Sequence, residues 1–233
     1  MLFQWEEDLR QSFLRRGEPA LWSRPVDQVA VRTTVESRCS NGRADWVWAG
    51  VRCDWPAGID RDTAGLLQQR TCSRILATLK PEAARREDFL LARSGVARRT
   101  FRRWLLQLLE VGLVSELGQG AYVLGPQFRV PDIEICSFEF KLDDWRRAFY
   151  QAKRYRTFSH RVYVVMPPRA AMRVAVEWLA IFKQFNIGLI SHNADGESVR
   201  RLPSRKQQPG SREVFIRALG MLLDQDAAKP ALV

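Results

Sequence analysis

Two carboxylates and a lysine are the residues of this chain whose types and spacing are best suited to chemistry. In Ile133–Leu142, Glu139 and Lys141 are two positions apart, so on a strand both side chains project from one face. Asp45 lies within the apolar segment Arg43–Val51, where an ionised carboxylate is costly unless it is paired or bound to a metal. If the two segments are neighbouring strands, the three side chains converge.

Two oxygen ligands beside an ammonium group suit a divalent cation and an anionic substrate. Asp45 and Glu139 would hold Mg²⁺ or Mn²⁺, which keeps several waters and meets a substrate phosphate. Such an ion lowers the pKa of a bound water and stabilises charge on a phosphodiester. Lys141 would position that water or neutralise charge in the transition state. The expected chemistry is phosphodiester hydrolysis.

The elements around these residues predict one sheet flanked by helices and interrupted by a second domain. The return strand Arg43–Val51 is apolar on both faces, which is typical of a strand covered on both sides. The predicted outer elements are a helix at Leu2–Arg16, strands at Gln28–Arg38 and Arg43–Val51 joined by a turn at Asn41-Gly42, a strand at Ile133–Leu142, a helix at Asp144–Tyr155, a strand at Arg161–Met166, a helix at Ala170–Phe185, a strand at Ile187–Ser191 and a helix at Arg212–Leu223.

The interrupting segment predicts two helices joined by a tight turn and followed by a hairpin. A short helix at Glu87–Arg93 leads through Ser94-Gly95-Val96 into a longer helix at Ala97–Val111. The hairpin spans Leu113–Val123 and turns at Gly118-Gln119-Gly120. This arrangement, with the LLxxGLV stretch Leu108–Val114, resembles a winged-helix domain.

The winged-helix resemblance implies that the second helix enters the major groove of DNA by its first residues. Four arginines stand there: Arg98, Arg99, Arg102 and Arg103. They are the candidate DNA-binding residues, in contact with phosphates or guanine edges. The alternatives are a solvated arginine face and a contact with another protein.

The motif set resembles the PD-(D/E)xK, or restriction-endonuclease-like, nuclease superfamily over roughly residues 1–55 and 131–191. Glu139-Phe140-Lys141 matches the ExK element, and Asp45 in Gly42–Val47 matches the first acidic position, although Ala44 stands where the family carries proline. Gln151-Ala152-Lys153-Arg154-Tyr155 is similar to the QxxxY helix of the RecB-type branch. Glu6 on the first helix matches an acidic residue of many members.

What the resemblance implies is a catalytic set of Asp45, Glu139, Lys141, Gln151 and Glu6, with Asp45 and Glu139 as ligands of Mg²⁺ or Mn²⁺. Each residue also has a structural reading. Glu139 and Lys141 could form an ion pair on a solvated face, and Asp45 could pair with a nearby arginine. Gln151 could be a boundary residue of its helix, and the neighbours of Glu6 are also acidic.

Composition favours a polyanionic partner and excludes several classes. The 233 residues carry a net charge of +11, and arginines supply most of the positive charge. No apolar run approaches the length of a membrane helix, and the acidic N-terminus does not resemble a signal peptide. Two histidines leave little for chemistry that needs a histidine cluster. A cytoplasmic, nucleoid-associated location is expected.

The sequence thus predicts an α/β protein with a restriction-endonuclease-like mixed sheet and a winged helix-turn-helix insert. The expected division is 1–55 and 129–223 for the nuclease-like core, 56–128 for the insert, and 224–233 for a flexible tail. The expected function is metal-dependent DNA cleavage, with DNA as partner and homodimerisation left open. The alternatives are a catalytically inactive DNA-binding regulator or accessory subunit, and a nuclease that acts on RNA.

Overall fold

A computed structural model describes residues 3–17, 30–39, 42–51, 61–130 and 132–224. The chain divides into two compact units, each assembled from two stretches of sequence. Unit 1 comprises Met1–Gly50 and Glu134–Gly210, and unit 2 comprises Val51–Ile133 and Ser211–Val233. No helix within the described ranges is long and apolar enough to cross a membrane.

The helices and strands of the described chain have the following bounds. The helices are α1 (Glu6–Ser12), α2 (Arg61–Gln68), α3 (Arg70–Thr78), α4 (Glu87–Ser94), α5 (Arg98–Glu110), α6 (Trp145–Tyr155), α7 (Pro168–Glu177), α8 (Leu179–Gln184) and α9 (Arg212–Asp224). The strands are β1 (Ala30–Cys39), β2 (Gly42–Val51), β3 (Arg85–Arg86), β4 (Val114–Gly118), β5 (Ala121–Leu124), β6 (Ile133–Phe140), β7 (Arg161–Met166), β8 (Gly188–His192) and β9 (Ser198–Leu202).

The large sheet is mixed and flanked by helices, in agreement with the predicted α/β class. Its strand order is β1-β2-β6-β7-β8-β9. The pairs β6–β7 and β7–β8 are parallel, with α6 and then α7 and α8 as the connections. β2 is therefore a direct neighbour of β6, although all of β3, β4 and β5 lie between them in sequence.

One face of this sheet is an aromatic core under α1. Phe13 packs against Phe140 with ring centroids 5.5 Å apart, and Trp46 against Phe138 at 4.6 Å. These rings cluster with buried Leu9. Since alternate strand residues point to opposite faces, burying Phe138 and Phe140 here directs the intervening residue of β6 to the other face.

Two predictions for unit 1 need correction. The helix expected at Ala170–Phe185 is two helices, because Trp178 adopts a non-helical backbone conformation (φ −127°, ψ 7°) between α7 and α8. The polar stretch after β8 contains the unpredicted strand β9, which pairs with β8 in antiparallel fashion. β9 is an edge strand whose central residues are exposed, so it lacks the apolar alternation that marks a half-buried strand.

In unit 2 the predicted helix–turn–helix–hairpin order is present. Gly95 ends α4 in the left-handed conformation (φ 68°), and α5 follows from Arg98. β4 and β5 pair around a turn at Gln119 and Gly120, both with positive φ. The two-residue strand β3, which was not predicted, pairs with β5 and completes a three-stranded sheet.

The position of α9 corrects the predicted division of the chain. The sequence-based division placed it in the core formed by 129–223, but Ser211–Val233 belongs to unit 2. Ile216 and Leu223 of α9 lie in one hydrophobic cluster with Ala64 and Leu67 of α2. An amphipathic helix carries no sequence signal of which sheet or helix will cover it, so periodicity alone could not make this assignment. The predicted turn at Asn41 and the tail beyond Asp224 lie outside the described residues.

Candidate active site in unit 1

The predicted pair Asp45 and Glu139 lies on neighbouring strands of the sheet. Asp45 Oδ2 accepts a hydrogen bond from the Phe140 backbone N–H at 2.9 Å, across 95 residues of sequence. The negative charge of Asp45 also disfavours the ionised form of the Glu139 carboxyl. β2 and β6 thus bring the two predicted acidic residues together.

Glu139 is fully buried, and its two oxygens have different environments. Its side chain is 0% exposed. Oε2 accepts a short hydrogen bond from the Tyr155 hydroxyl, whereas Oε1 has no hydrogen-bond partner. Oε1 forms an ion pair with the Lys141 ammonium, whose Nζ lies 3.3 Å away. Apart from this ion pair, Oε1 of the buried carboxylate has no hydrogen-bond partner among the described residues.

Lys141 is held by three oxygens at the end of β6. Its Nζ lies 2.7 Å from Glu6 Oε2, 3.0 Å from the Phe140 carbonyl oxygen and 3.3 Å from Glu139 Oε1. The side chain is only 8% exposed, whereas that of Glu6 is 49% exposed. The sequence predicted Glu6 and Lys141 as site residues, and α1 places the Glu6 carboxylate in contact with the Lys141 ammonium.

The surroundings of Asp45 and Glu139 raise the pKa of both carboxyl groups. Burial and the nearby charge of Asp45 raise the pKa of Glu139 to about 7, although the Tyr155 hydroxyl and Lys141 act to lower it. Burial likewise raises the pKa of Asp45, against the lowering effects of the Phe140 N–H and Lys141. Two like charges buried together favour the ionised state only when a cation joins them.

The lysine stays charged. Burial alone would lower the pKa of Lys141, but the hydrogen bond with Glu6 and the charges of Glu139 and Asp45 outweigh burial, so its pKa is raised. It is therefore an ammonium donor at neutral pH and cannot serve as a general base there. Its part in any reaction would be electrostatic.

Helix α6 supplies the predicted Gln151 and one partner of Glu139 that the site prediction left out. Tyr155 was noticed only as the end of the QxxxY motif; its buried hydroxyl donates to Glu139. Gln151 is one turn earlier on the same helix face, and its Oε1 is buried without a hydrogen-bond partner. The four-residue spacing of the motif was the signal that could have identified Tyr155.

The donor set fits a divalent cation held by few protein ligands. Asp45 and Glu139 provide carboxylate oxygens, and Oε1 of Glu139, which accepts no hydrogen bond and is ion-paired with Lys141, would be the Glu139 oxygen that holds the cation. Within the described residues no group of three or more His, Cys, Asp or Glu side chains forms a site for a metal. Mg²⁺ is commonly bound through one or two carboxylates, with water and substrate phosphate completing its coordination.

The four predicted DNA-binding arginines lie on α5 of unit 2, and two of them form ion pairs with carboxylates. Arg98 lies 3.4 Å from Glu87 and 3.0 Å from Asp88, and Arg102 lies 2.8 Å from Glu87. The Arg103 guanidinium is 4.8 Å from the Trp104 ring centroid, and Arg99 is exposed. All four remain at the surface, where such ion pairs are weak and exchange readily.

Comparisons with protein-family models, curated proteins and solved structures found no match. The chemistry of the site therefore has to be inferred from its own geometry. A fully buried carboxylate beside a partly buried one, a charged lysine and a carboxylate oxygen without a hydrogen bond are suited to binding a cation and stabilising an oxyanion.

Proposed function

We propose that this protein is a metal-dependent DNA nuclease that hydrolyses phosphodiester bonds in unit 1. The observation that carries the proposal is the convergence of Asp45, Glu139 and Lys141 on adjacent strands, with one oxygen of buried Glu139 lacking a hydrogen bond. A carboxylate pair next to an ammonium group is costly to bury for stability alone. It is the arrangement expected where a cation and a phosphate must be handled together.

In this proposal each residue has a distinct part. Asp45 and Glu139 would hold Mg²⁺ or Mn²⁺, which when bound would activate water and neutralise phosphate charge. Lys141, charged and fixed beside Glu139, would stabilise negative charge that develops on the phosphate. Tyr155 and Gln151 are positioning residues, because Tyr155 fixes one oxygen of Glu139 and Gln151 shares its helix face.

The proposal extends to the fold and to DNA binding. The strand–helix–strand unit of β6, α6 and β7, with β2 beside β6, supports a restriction-endonuclease-like core. Helices α4 and α5 followed by the β4–β5 hairpin support a winged-helix domain. DNA would contact α5 through Arg98, Arg99, Arg102 and Arg103.

A second candidate is a DNA-binding regulator or accessory subunit without turnover. The contact that favours it is the ion pair of Lys141 with Glu6, which engages the only lysine of the cluster at 2.7 Å. In that case Glu6 would stand where a nuclease needs phosphate oxygens. Glu6 is half exposed, so the substrate could displace it. The variant Glu6→Gln separates the two candidates: it should raise cleavage if the protein is a nuclease, and it should leave the protein inert if it is a regulator.

Lys141→Ala tests the proposed chemistry. We expect cleavage of plasmid and linear DNA with Mg²⁺ or Mn²⁺ to fall by about 100-fold or more, because a transition-state contact is lost. DNA affinity measured in EDTA should hardly change. The matched control is Lys183→Ala, which removes an exposed lysine of α8 in the same unit. Equal cleavage by Lys141→Ala and wild type would overturn the assignment, and selective cleavage of RNA would redirect it to the RNA nuclease alternative.

A further inference from the structure

Unit 2 contains a cavity with a strongly cationic lining. It has a volume of about 420 Å³ and is lined by residues of α3, β3, α4 and the start of α9. The charged and aromatic residues of its lining are Arg74, Arg85, Phe89, Arg93, Arg212 and Glu213. The lining contains four guanidinium groups and one carboxylate, so its net charge is +3.

One of these arginines is fixed by the fold. Arg74 Nε lies 3.1 Å from Glu213 Oε2, and its Nη1 donates to the Ser94 carbonyl oxygen at 2.7 Å. This pairing uses the only carboxylate of the lining. The remaining arginines of the lining have no carboxylate partner there.

Arg85, Arg93 and Arg212 make no ion pair with a carboxylate anywhere in the described part of the chain. The Nε–H of Arg85 is buried and has no hydrogen-bond partner. Burial lowers the pKa of Arg212 with no opposing effect of a nearby carboxylate. A buried donor without an acceptor costs free energy, and a bound anion would supply the missing acceptor.

Phe89 adds an apolar surface to this cationic cavity. Its side chain is 45% exposed, and the Arg85 guanidinium lies 5.3 Å from the centroid of its ring. Phe89 and Arg93 are four residues apart on one side of α4, and Arg85 lies in β3, which leads into this helix. An exposed aromatic ring next to arginines is the combination that stacks a nucleobase and binds its phosphate.

We propose that this cavity binds a nucleotide, with the phosphate against Arg85, Arg93 and Arg212 and the base against Phe89. Its volume lies in the range of about 300–1,000 Å³ that ligand pockets occupy. The same chemistry is offered by a free nucleoside monophosphate and by the phosphorylated end of a DNA strand. The site needs neither the metal nor the residues of unit 1, so nucleotide binding can be tested independently of the proposed nuclease activity.

Calorimetric titration of the whole chain in EDTA tests the site, with dTMP, thymidine and inorganic phosphate as probes. We expect dTMP to bind more tightly than either fragment. Arg93→Glu should weaken dTMP binding about tenfold or more, because a charge-assisted contact becomes repulsive. Arg129→Glu makes the same charge change at an exposed position of unit 2 outside the cavity, and it should leave affinity nearly unchanged.

Phe89 variants test the base contact. Phe89→Ala should weaken dTMP binding and leave phosphate binding unaltered, whereas Phe89→Trp should restore dTMP affinity. Competition with thymidine tetranucleotides, with and without a 5′-phosphate, then separates the two sources: displacement only by the phosphorylated strand identifies a strand end, and no displacement identifies a free nucleotide. Equal affinity for phosphate and dTMP, or tighter binding of a phosphopeptide than of dTMP, would overturn the proposal.

Discussion

The protonation of Glu139 depends on neighbours that act in opposite directions. Burial and Asp45 raise its pKa to about 7, while Tyr155 and Lys141 act to lower it. At neutral pH a large fraction of this carboxyl is therefore protonated. The stability of the protein should therefore fall as pH rises, whereas the capacity of Glu139 to bind a cation should increase.

The stability effect follows from linkage. In the unfolded chain Glu139 titrates near its ordinary value of 4.5, but in the folded chain it titrates at about 7. The folded state binds more protons between these values, so its stabilising contribution is complete below about pH 4.5 and is lost as pH rises through 7. In EDTA the free energy of unfolding should fall by roughly 3 kcal/mol across this window relative to Glu139→Gln.

Urea unfolding of wild type and Glu139→Gln at several pH values measures this difference. If the free energy of unfolding depends on pH in the same way in both proteins, Glu139 titrates normally. Added Mg²⁺ should stabilise the wild type more at pH 8 than at pH 6, because a cation competes with the proton for the carboxylate.

Tyr155→Phe should shift the pH dependence of cleavage. The hydroxyl donates to Glu139 and lowers its pKa, so its removal raises that pKa further. If the carboxylate form of Glu139 is required, the rising limb of the kcat/KM profile moves to higher pH. A uniform loss of activity at every pH would mean that Tyr155 has a structural role only. Phe158→Leu, a nearby buried change without a hydroxyl, is the control.

At the scale of elements, the packing of α9 on α2 depends on one glycine. A Cβ at Gly220 would lie 2.7 Å from the Ala64 carbonyl oxygen and 2.8 Å from the Leu67 Cβ. Both distances are shorter than real contacts allow, and the first involves rigid backbone. Gly65 on α2 offers the opposite case, because a Cβ there would meet nothing within 4 Å.

The same substitution should therefore have opposite effects at these two sites. Gly220→Ala should destabilise the protein by about 1–3 kcal/mol, since the helices must separate. Gly65→Ala should stabilise it by about 0.5–1 kcal/mol, since alanine is the better helix former. Thermal unfolding of both variants measures the difference, and a stabilised Gly220→Ala would show that the two helices do not approach as closely as described.

The elements predicted correctly were those with a strong local signal. The ExK strand, the QxxxY helix and the α4–α5 turn have alternation, helical periodicity or a glycine at a positive φ, and each is present. β9 and the partner of α9 depend on contacts distant in sequence, so local pattern could not determine them. The same limit applies to the candidate site: the strands of Asp45 and Glu139 were predicted, but the contacts of Lys141 with Glu6 and of Glu139 with Tyr155 depend on how distant elements pack.

At the scale of the whole molecule, the charge of +11 must be divided among different surfaces. The arginines of α5 are proposed to bind DNA, while those of the cavity are proposed to bind a nucleotide. Glu87 and Asp88 already neutralise part of the first set, because they pair with Arg98 and Arg102. In the proposed binding mode, DNA would have to displace these carboxylates before all four arginines contribute.

Replacement of Arg98, Arg99, Arg102 and Arg103 with alanine should weaken DNA binding and reduce its salt dependence. Each lost phosphate contact lowers the log–log slope by about 0.9. Glu87→Gln should act in the opposite direction, because it removes the carboxylate partner of Arg102 and leaves Arg98 paired with Asp88 alone. Affinity titrations across a salt series test both, and an unchanged slope in the quadruple variant would assign this face to another partner.

The adjacency of β2 and β6 also has a consequence for the order in which the protein is made. A ribosome at about 5–20 residues per second needs roughly 5–20 seconds to extend the nascent chain from Asp45 to Phe140. During that interval the apolar return strand, with Trp46 and Trp48, lacks the neighbour that buries it. The nascent chain thus displays an unpaired hydrophobic strand edge, which makes it a candidate client for chaperones that act during translation.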